Sequence, residues 1–332
     1  MCWDDLMEFD RAPRLEMLWE AHNPHHALAE RFGFDDAAAA DRWLRTTLSS
    51  HWGVTIESCQ RIVMSDHNAL AWISTDMGSL LAKWSAAPER FARLSHVADV
   101  TQWLADNGLP VSAPVPSLDG RLQLEVDGVS MAVQHVVEGQ LLDVGNNRQV
   151  HMAGATLAEF HDALGRYPAA DETVSQNGTD VPLATRVTGW LDSTDSPAPS
   201  AALQALRRIV RDAPRLEGAT QLLHGDFRSA NVLCSGMSIA AVLDMEEVRR
   251  DHCIDELARS TVLLGTRFHD WGPVSAEVHA LFRAGYESVR PLTLPEQHWW
   301  DVLVLWYTLL FVPADDDPTG WAASALEQAA DI

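Results

Sequence analysis

Positive charge is scarce in this sequence. Lysine and arginine together number 24 against 47 aspartates and glutamates, leaving a formal net charge of −23, and lysines are few. A field of that sign repels nucleic-acid phosphates and anionic membrane surfaces, and it attracts cationic small molecules. With no partner in view, it reads as a solubility feature. Cysteine is scarce too. Cys2, Cys59, Cys234 and Cys253 are scattered with no CxxC pair, which argues against a disulfide framework or a zinc site and fits a reduced cytoplasm. Long hydrophobic runs are missing. The longest, Val302 to Val312, falls short of the ~20 residues a membrane helix needs and reads as a buried core helix. Asp4, Asp5, Glu8 and Asp10 stand where a signal peptide would be basic and then apolar. There is no internal repeat.

What is present is the composition of a globular protein, 47% hydrophobic and 21% charged over 332 residues. That supports a large core and one large domain or two lobes. Residues 1–50 read as helical: Leu15, Leu18 and Trp19 recur at helical spacing, Pro24 opens a second segment, and Asp36 to Leu48 suits a third. Between Ser58 and Trp84 the character changes to three short strands, Arg61–Met64, Ala71–Ser74 and Ser79–Trp84, separated by turns at Ser65–Asn68 and Asp76–Gly78. A helix over Pro88–Asn107 follows, closed by Gly108 and Pro110, then strands at Arg121–Val126 and Val129–Val137. Five strands and one helix make a small α+β lobe over 51–137. From residue 138 to 332 the pattern is helical, with a strong helix at Val150–Leu164, polar loops at 169–182 and 192–200, a helix at Ala201–Asp212, short strands in Leu222–Val248 and helices over 253–310.

The chemistry is concentrated in Leu223-His-Gly-Asp-Phe-Arg-Ser-Ala-Asn-Val-Leu233 and, further on, Ala241-Val-Leu-Asp-Met-Glu246. Apolar flanks place Asp226 and Asn231 on a loop between buried elements and Asp244 at a strand end. Phosphoryl transfer asks a protein mainly for positioning and charge neutralisation. An Asp on a tight Gly-containing loop can take the proton of an attacking hydroxyl. An Asn five residues on can fold back to a metal, and a second Asp on a neighbouring strand can bridge metal to phosphates. Such hard oxygen donors suit Mg²⁺.

His-Gly-Asp-x-x-x-x-Asn followed by a hydrophobic strand ending in Asp resembles the signature of aminoglycoside phosphotransferases, choline kinases and homoserine-kinase-like enzymes. These are small-molecule counterparts of protein kinases. The resemblance implies a bilobal protein-kinase-like α+β fold, with a small antiparallel-sheet N-lobe and a larger helical C-lobe. It implies Asp226 as catalytic base, Asn231 and Asp244 as Mg²⁺ ligands, Arg228 near the γ-phosphate of ATP and His224 as a buttress of the loop. Asp255-Glu-Leu-Ala258 resembles the family's Asp-Leu-Ala element, and the resemblance gives Asp255 the support of the catalytic loop.

Upstream the resemblance is looser. Ser65 and Asn68 occupy a turn where the family covers phosphates, and a plain hairpin turn accounts for it equally well. Lys83 on the third strand matches the lysine that contacts the α- and β-phosphates. The glutamate expected to pair with it on the next helix is replaced by His96 or Val97, with Glu89 and Asp99 out of register. Gln134-His-Val-Val-Glu-Gly139 resembles the family's hinge, implying that backbone groups from Gln134 through Val136 to Val137 bind adenine. Glu246, Glu247 and Asp251 follow the metal strand and suit a substrate ammonium. His22, His25 and His26 read as a solvent-facing cluster without a partner acid at ligand spacing. His161 and Asp162 read as capping or packing residues, and Trp299, Trp300, Trp306 and Trp321 as core.

The expected activity is therefore ATP- and Mg²⁺-dependent transfer to a hydroxyl of a small molecule, with a cationic antibiotic favoured by the acidic surface. Homoserine-like, sugar and other metabolite acceptors stay open. A regulatory, nucleotide-binding pseudokinase is the reading from another class, prompted by the missing helix glutamate. Neither nucleic acid nor membrane is expected as a partner, and oligomeric state is not legible.

Overall fold

The structure is a computed structural model and describes residues 12–168, 181–193, 197–216 and 220–332. The chain divides into two compact units. One runs to Asp106 and resumes over Val111–Val137; the other takes Asn107–Pro110 and Glu138–Ile332.

The first unit is built on a six-stranded sheet: β1 (Arg14–Met17), β2 (Ile56–Met64), β3 (Ala69–Thr75), β4 (Gly78–Ser85), β5 (Leu124–Val126) and β6 (Val129–His135), in the order β1-β2-β3-β4-β6-β5. All pairs are antiparallel except β1 with β2. The expected meander is present because β3 alternates: Ala69, Ala71, Ile73 and Thr75 are buried, and Leu70, Trp72 and Ser74 are partly exposed. Helices α1 (Pro24–Phe32) and α2 (Ala37–Trp52) put Leu28, Phe32, Leu44, Leu48 and Trp52 into one core with Ile62, Ile73, Leu80, Trp84 and Met131. Asp36 caps α2 by accepting from Ala39 N at 2.7 Å. Trp52 Nε1 donates to Val115 O at 3.0 Å. The segment around Leu15, expected to be helical, is the parallel edge strand β1. Three apolar residues are too few to fix a period, and pairing of Arg14–Met17 with Arg61–Met64 decides the conformation. The strand expected from Arg121 begins at Leu124; Arg121 is held instead in a turn by Ser117 and Asp119. Helix α3 (Phe91–Asp106) follows a single 3₁₀ turn at Pro88–Arg90.

The second unit is mainly helical. Its elements are β7 (Gln140–Leu141), α4 (Asn147–Leu164), α5 (Leu183–Ser193), α6 (Ser200–Arg211), β8 (Gln221–Leu223), β9 (Val232–Ser235), β10 (Ser238–Val242), β11 (Arg249–Asp251), α7 (Cys253–Leu263), α8 (Ala276–Glu287), α9 (Leu294–Leu310) and α10 (Trp321–Ala330). Strands β10-β9-β7 form one small sheet and β11-β8 another. Helices α4 and α8 cross backbone to backbone. A Cβ on Gly154 would stand 2.0 Å from Phe282 O, and one on Gly285 1.9 Å from His151 O. That approach brings His161 against Tyr286, Nδ1 to Oη 2.7 Å. Helix α9 starts in a capping box of Thr293 and Glu296 and carries the apolar run into the core, with Trp299, Trp300 and Trp306 buried. Trp321 on α10 is buried as well. Among the described residues no helix is long and apolar enough to cross a membrane, and Cys59, Cys234 and Cys253 are buried free thiols. The polar stretch expected at 169–182 lies almost wholly outside the described residues, and that at 192–200 partly so.

Candidate active site

The loop 224–231 is fixed at both ends. Leu223 pairs with Arg249 where β8 meets β11, and Val232 with Val242 where β9 meets β10. Gly225 takes φ +88°, and a Cβ there would meet Glu247 O at 2.0 Å, so only glycine fits. The His224 ring spans the loop. Its Nδ1 accepts from Asp226 N at 3.1 Å and its Nε2 donates to Leu243 O at 2.9 Å, which assigns the Nε2–H tautomer. The ring thereby ties the Asp226 amide to the carbonyl of Leu243, just past the end of β10.

The Asp226 carboxylate is held from several sides. Asn231 Nδ2 donates to it at 2.9 Å and to the Asp226 carbonyl at 2.9 Å. Arg228 Nε donates to its two oxygens at 3.1 and 3.0 Å, and Arg259 Nη1 stands 3.6 Å away. These bonds fix the Asn231 amide with its nitrogen toward Asp226 and its Oδ1 turned away. The Arg228 guanidinium lies 5.3 Å from the Trp271 ring centroid, and its Nη1 is buried with no hydrogen-bond partner. Asp244 follows β10 and is exposed, with φ +60° and ψ +73°. A non-glycine residue in the left-handed region is strained, and such strain concentrates at functional sites.

The loop's amides end on Glu256, on the first turn of α7. Its Oε2 accepts from His224 N at 3.0 Å and its Oε1 from Gly225 N. His161 Nε2 lies 2.9 Å from Oε2. Burial alone would raise the Glu256 carboxyl; the His161 bond and charge, with His224 and Arg249, outweigh it and hold it at about 2. Burial likewise opposes the His161 charge, and Tyr286, Cys253 and Glu256 raise it well above the usual imidazole value. The direct support expected of Asp255 is therefore a correction. One residue along a helix turns a side chain by about 100°, and in register with Leu257-Ala258 the acid is Glu256. Asp255 acts one step removed. Fully buried, it accepts from Tyr307 Oη at 2.9 Å and lies 3.5 Å from Arg249 Nη2, while Arg249 Nη1 donates to Gly225 O at 2.9 Å. His161, expected only to cap or pack, belongs to the same support; its partners lie 95 and 125 residues away in sequence.

Of the three acids expected to face a substrate ammonium, Glu247 is exposed and Glu246 is buried. Asp251 is a second correction. It is buried where β11 pairs with β8, and both its oxygens accept from Arg186, at 2.9 and 3.0 Å. Burial and the nearby Asp255 push it up to about 6 despite Arg186.

In the first unit, Lys83 lies half-buried on β4, and it is the only lysine of the 332-residue sequence. Helix α3 carries His96, Val97 and Asp99 and no glutamate. Ser65 and Asn68 close the β2–β3 turn, Ser65 N donating to Asn68 O at 2.9 Å. Val136, expected to be among the residues whose backbone groups meet adenine, has one of those groups taken. Its N–H donates to Ser79 O at 3.1 Å, because the chain keeps bonding to β4 past the end of β6. His135 O accepts from Ser112 Oγ at 2.7 Å, and Gln134 bridges to Pro114. The His22 and His26 rings lie 5.6 Å apart, and His26 bonds Glu30 at 2.9 Å, an acid one helical turn on that the sequence reading overlooked; all three are exposed.

Comparison with known proteins places the chain. A family model described as the phosphotransferase enzyme family matches residues 58–292. A homoserine kinase of Neisseria meningitidis serogroup B is 24% identical over 205 residues, 60% of this chain and 63% of the relative, so the match spans less than two thirds of that protein. Among solved structures, a macrolide 2'-phosphotransferase from Brachybacterium faecium superposes with a TM-score of 0.58 at 14% identity, covering 87% of this chain and 96% of its own. A microcompartment-associated aminopropanol kinase gives 0.56 at 17% identity, covering 87% and 94%. An amicoumacin kinase in complex with AMP-PNP, Ca²⁺ and Ami gives 0.55 at 14% identity, covering 88% and 92%. These likenesses show a shared protein-kinase-like fold.

Proposed function

The chain belongs to the phosphotransferase enzyme family, and from that premise we propose that it transfers the γ-phosphoryl group of ATP to a hydroxyl of a small molecule. The observation that carries the reading is the Asp226 carboxylate, oriented by Asn231 Nδ2 and Arg228 Nε on a loop whose amides end on Glu256. Asp226 takes the proton of the acceptor hydroxyl as its oxygen bonds to the γ-phosphorus. The bond from that phosphorus to the bridging oxygen breaks, and ADP leaves. Arg228 presents its unpartnered Nη1 to a phosphoryl oxygen, a role that suits a guanidinium. Asn231 Oδ1 and the Asp244 carboxylate are hard oxygen donors that fit Mg²⁺, which when bound neutralises phosphate charge. Lys83 is assigned to the α- and β-phosphates, the Ser65–Asn68 turn to phosphate covering, and the backbone at Gln134 to adenine.

For the acceptor, the net charge of −23 and the exposed Glu247 support a cation, with an antibiotic amine first and a homoserine-like amino alcohol second. The test is ADP release from ATP and Mg²⁺ over a panel of hydroxyl-bearing antibiotics and amino alcohols, with wild type and Asp226→Asn. Turnover on one acceptor, with kcat falling about 10²-fold or more in the variant, is the expected result. Turnover undiminished in Asp226→Asn defeats the mechanism. Nucleotide binding with no turnover on any acceptor moves the assignment to a regulatory pseudokinase, the reading that the missing glutamate of α3 supports.

A further inference from the structure

Three side chains of metal-binding type converge at the start of α1. His26 and Glu30 are four residues apart on the helix, one turn on the same face, and His22 stands four residues before His26, just ahead of the helix. Each offers one ligand atom, and those atoms all lie within 4.8 Å of one another. His26 Nε2 is 2.9 Å from Glu30 Oε1, and the His22 and His26 ring centroids are 5.6 Å apart. Ligands placed tetrahedrally about 2.0–2.1 Å from a zinc ion stand about 3.3 Å from each other. Small rotations of exposed side chains bring the three donors to that spacing.

The scaffold beneath them is held in place. Asn23 Oδ1 caps α1 and accepts from His25 N at 2.9 Å and His26 N at 3.3 Å. Ala27, Leu28 and Phe32 anchor the helix in the core of the first unit. The stretch leading to His22 is tied at two points: Leu18 N donates to Met64 O at 2.8 Å, and Glu20 pairs with Arg31 Nη2 at 2.6 Å. Arg31 thus spends its charge on Glu20 and on Asp66, while Glu30 pairs with His26. Donors placed in advance lose less conformational freedom when an ion binds.

The donor set selects the ion. Two imidazoles and one carboxylate, with a fourth position left to water, make a ligand set that suits Zn²⁺. Mg²⁺ and Ca²⁺ prefer oxygen donors throughout, so imidazole separates this cluster from the Mg²⁺ assigned to Asn231 and Asp244. All three residues are exposed, and the core packing of α1 does not pass through them, so an ion here exchanges with solvent and the fold does not depend on it.

We propose that His22, His26 and Glu30 form an exchangeable binding site for zinc, which clamps the chain ahead of α1 to the first turns of that helix. None of its ligands is assigned a part in phosphoryl transfer.

The probe is ZnCl₂ alone, titrated calorimetrically at pH 7.5 into full-length protein freed of any affinity tag, with MgCl₂ in excess. The expected result is saturable zinc binding that Mg²⁺ does not displace. Loss of an outer partner of a bound metal costs about 10–100-fold in affinity, and loss of a ligand costs at least as much. His26→Ala and Glu30→Ala should therefore each weaken zinc at least about tenfold. His25→Ala removes an imidazole equally open to solvent on the same helix and outside the cluster, and should leave the affinity unchanged. Zinc should raise the Tm of the wild type and leave that of a His26→Ala, Glu30→Ala double variant where it was. Asp226→Asn should bind zinc as the wild type does while phosphoryl transfer is lost, which separates this proposal from the kinase reading. No saturable binding, undiminished binding in the double variant, or an equal loss in His25→Ala overturns it; the last would mean that zinc is held by imidazoles at large and not by this cluster.

Discussion

Glu256 answers at the scale of one residue for the shape of the catalytic loop. It is buried, it accepts two loop amides, and its charge is matched by His161. Removing one member of a buried pair leaves the other uncompensated, so Glu256→Ala is expected to destabilise the protein by about 3–5 kcal/mol, measured by urea unfolding at pH 7. The pH dependence has a definite sign. The folded carboxyl sits at about 2, below its ordinary 4.5. Its contribution is therefore present above about pH 4.5 and lost as pH falls toward 2. The raised His161 behaves the other way: its contribution is full below about 6.5 and lost only as pH rises through its elevated value. Unfolding free energy should fall between pH 5 and 2.5 in the wild type, and less steeply in Glu256→Gln. An equal slope in both would mean the carboxylate carries no such linkage. The contact of Asn231 with Asp226 was legible in sequence because it is local, with donor and acceptor five residues apart. Glu256 was not, because its task is defined by a partner on another helix and by a rotation of one residue.

At the scale of elements, the crossing of α4 and α8 sets His161 against Tyr286 and so reaches the loop. Gly154→Ala and Gly285→Ala each place a methyl about 2 Å from a backbone oxygen of the other helix. Overpacking against backbone has no cheap relief, and a loss of about 3 kcal/mol is expected for either variant. Gly189→Ala on α5 is the matched control, since a Cβ there meets nothing within 4 Å. It should be neutral or stabilising by about 0.5–1 kcal/mol. Thermal unfolding of the three variants checks the contrast; similar losses in all three would show that helix propensity, and not the crossing, is being measured. The sheet meander and the long helices could be read from alternation and periodicity. Strand β1 could not, because four residues carry no period and its pairing with β2 fixes it. The bond of the Val136 amide to Ser79 O was not legible for a similar reason: whether an N–H is available depends on how far a ladder runs, and that is a property of two strands.

Over the whole molecule the acidic excess matters most for encounter. If the acceptor is a cation, its KM should rise several-fold between about 50 and 300 mM NaCl, as screening shortens the Debye length from about 14 to 6 Å. For a neutral acceptor KM should stay flat. Initial-rate measurements at the two salt concentrations decide between the two kinds of acceptor, and a flat profile with the best amine would show that surface charge serves solubility alone.

The solitary ε-amine on β4 has a consequence for how the protein is handled in a cell. Apart from an α-amino group, an enzyme that acylates lysine or attaches a tag to it has one address in this sequence, and the address is the side chain assigned to the nucleotide. Acetylation there removes the positive charge, so the modified fraction of molecules would equal the silenced fraction. A molecule holding nucleotide would be shielded from the same modification. Disposal through lysine-linked tagging would then fall on idle copies and spare working ones, and occupancy of the site would set the lifetime of the chain.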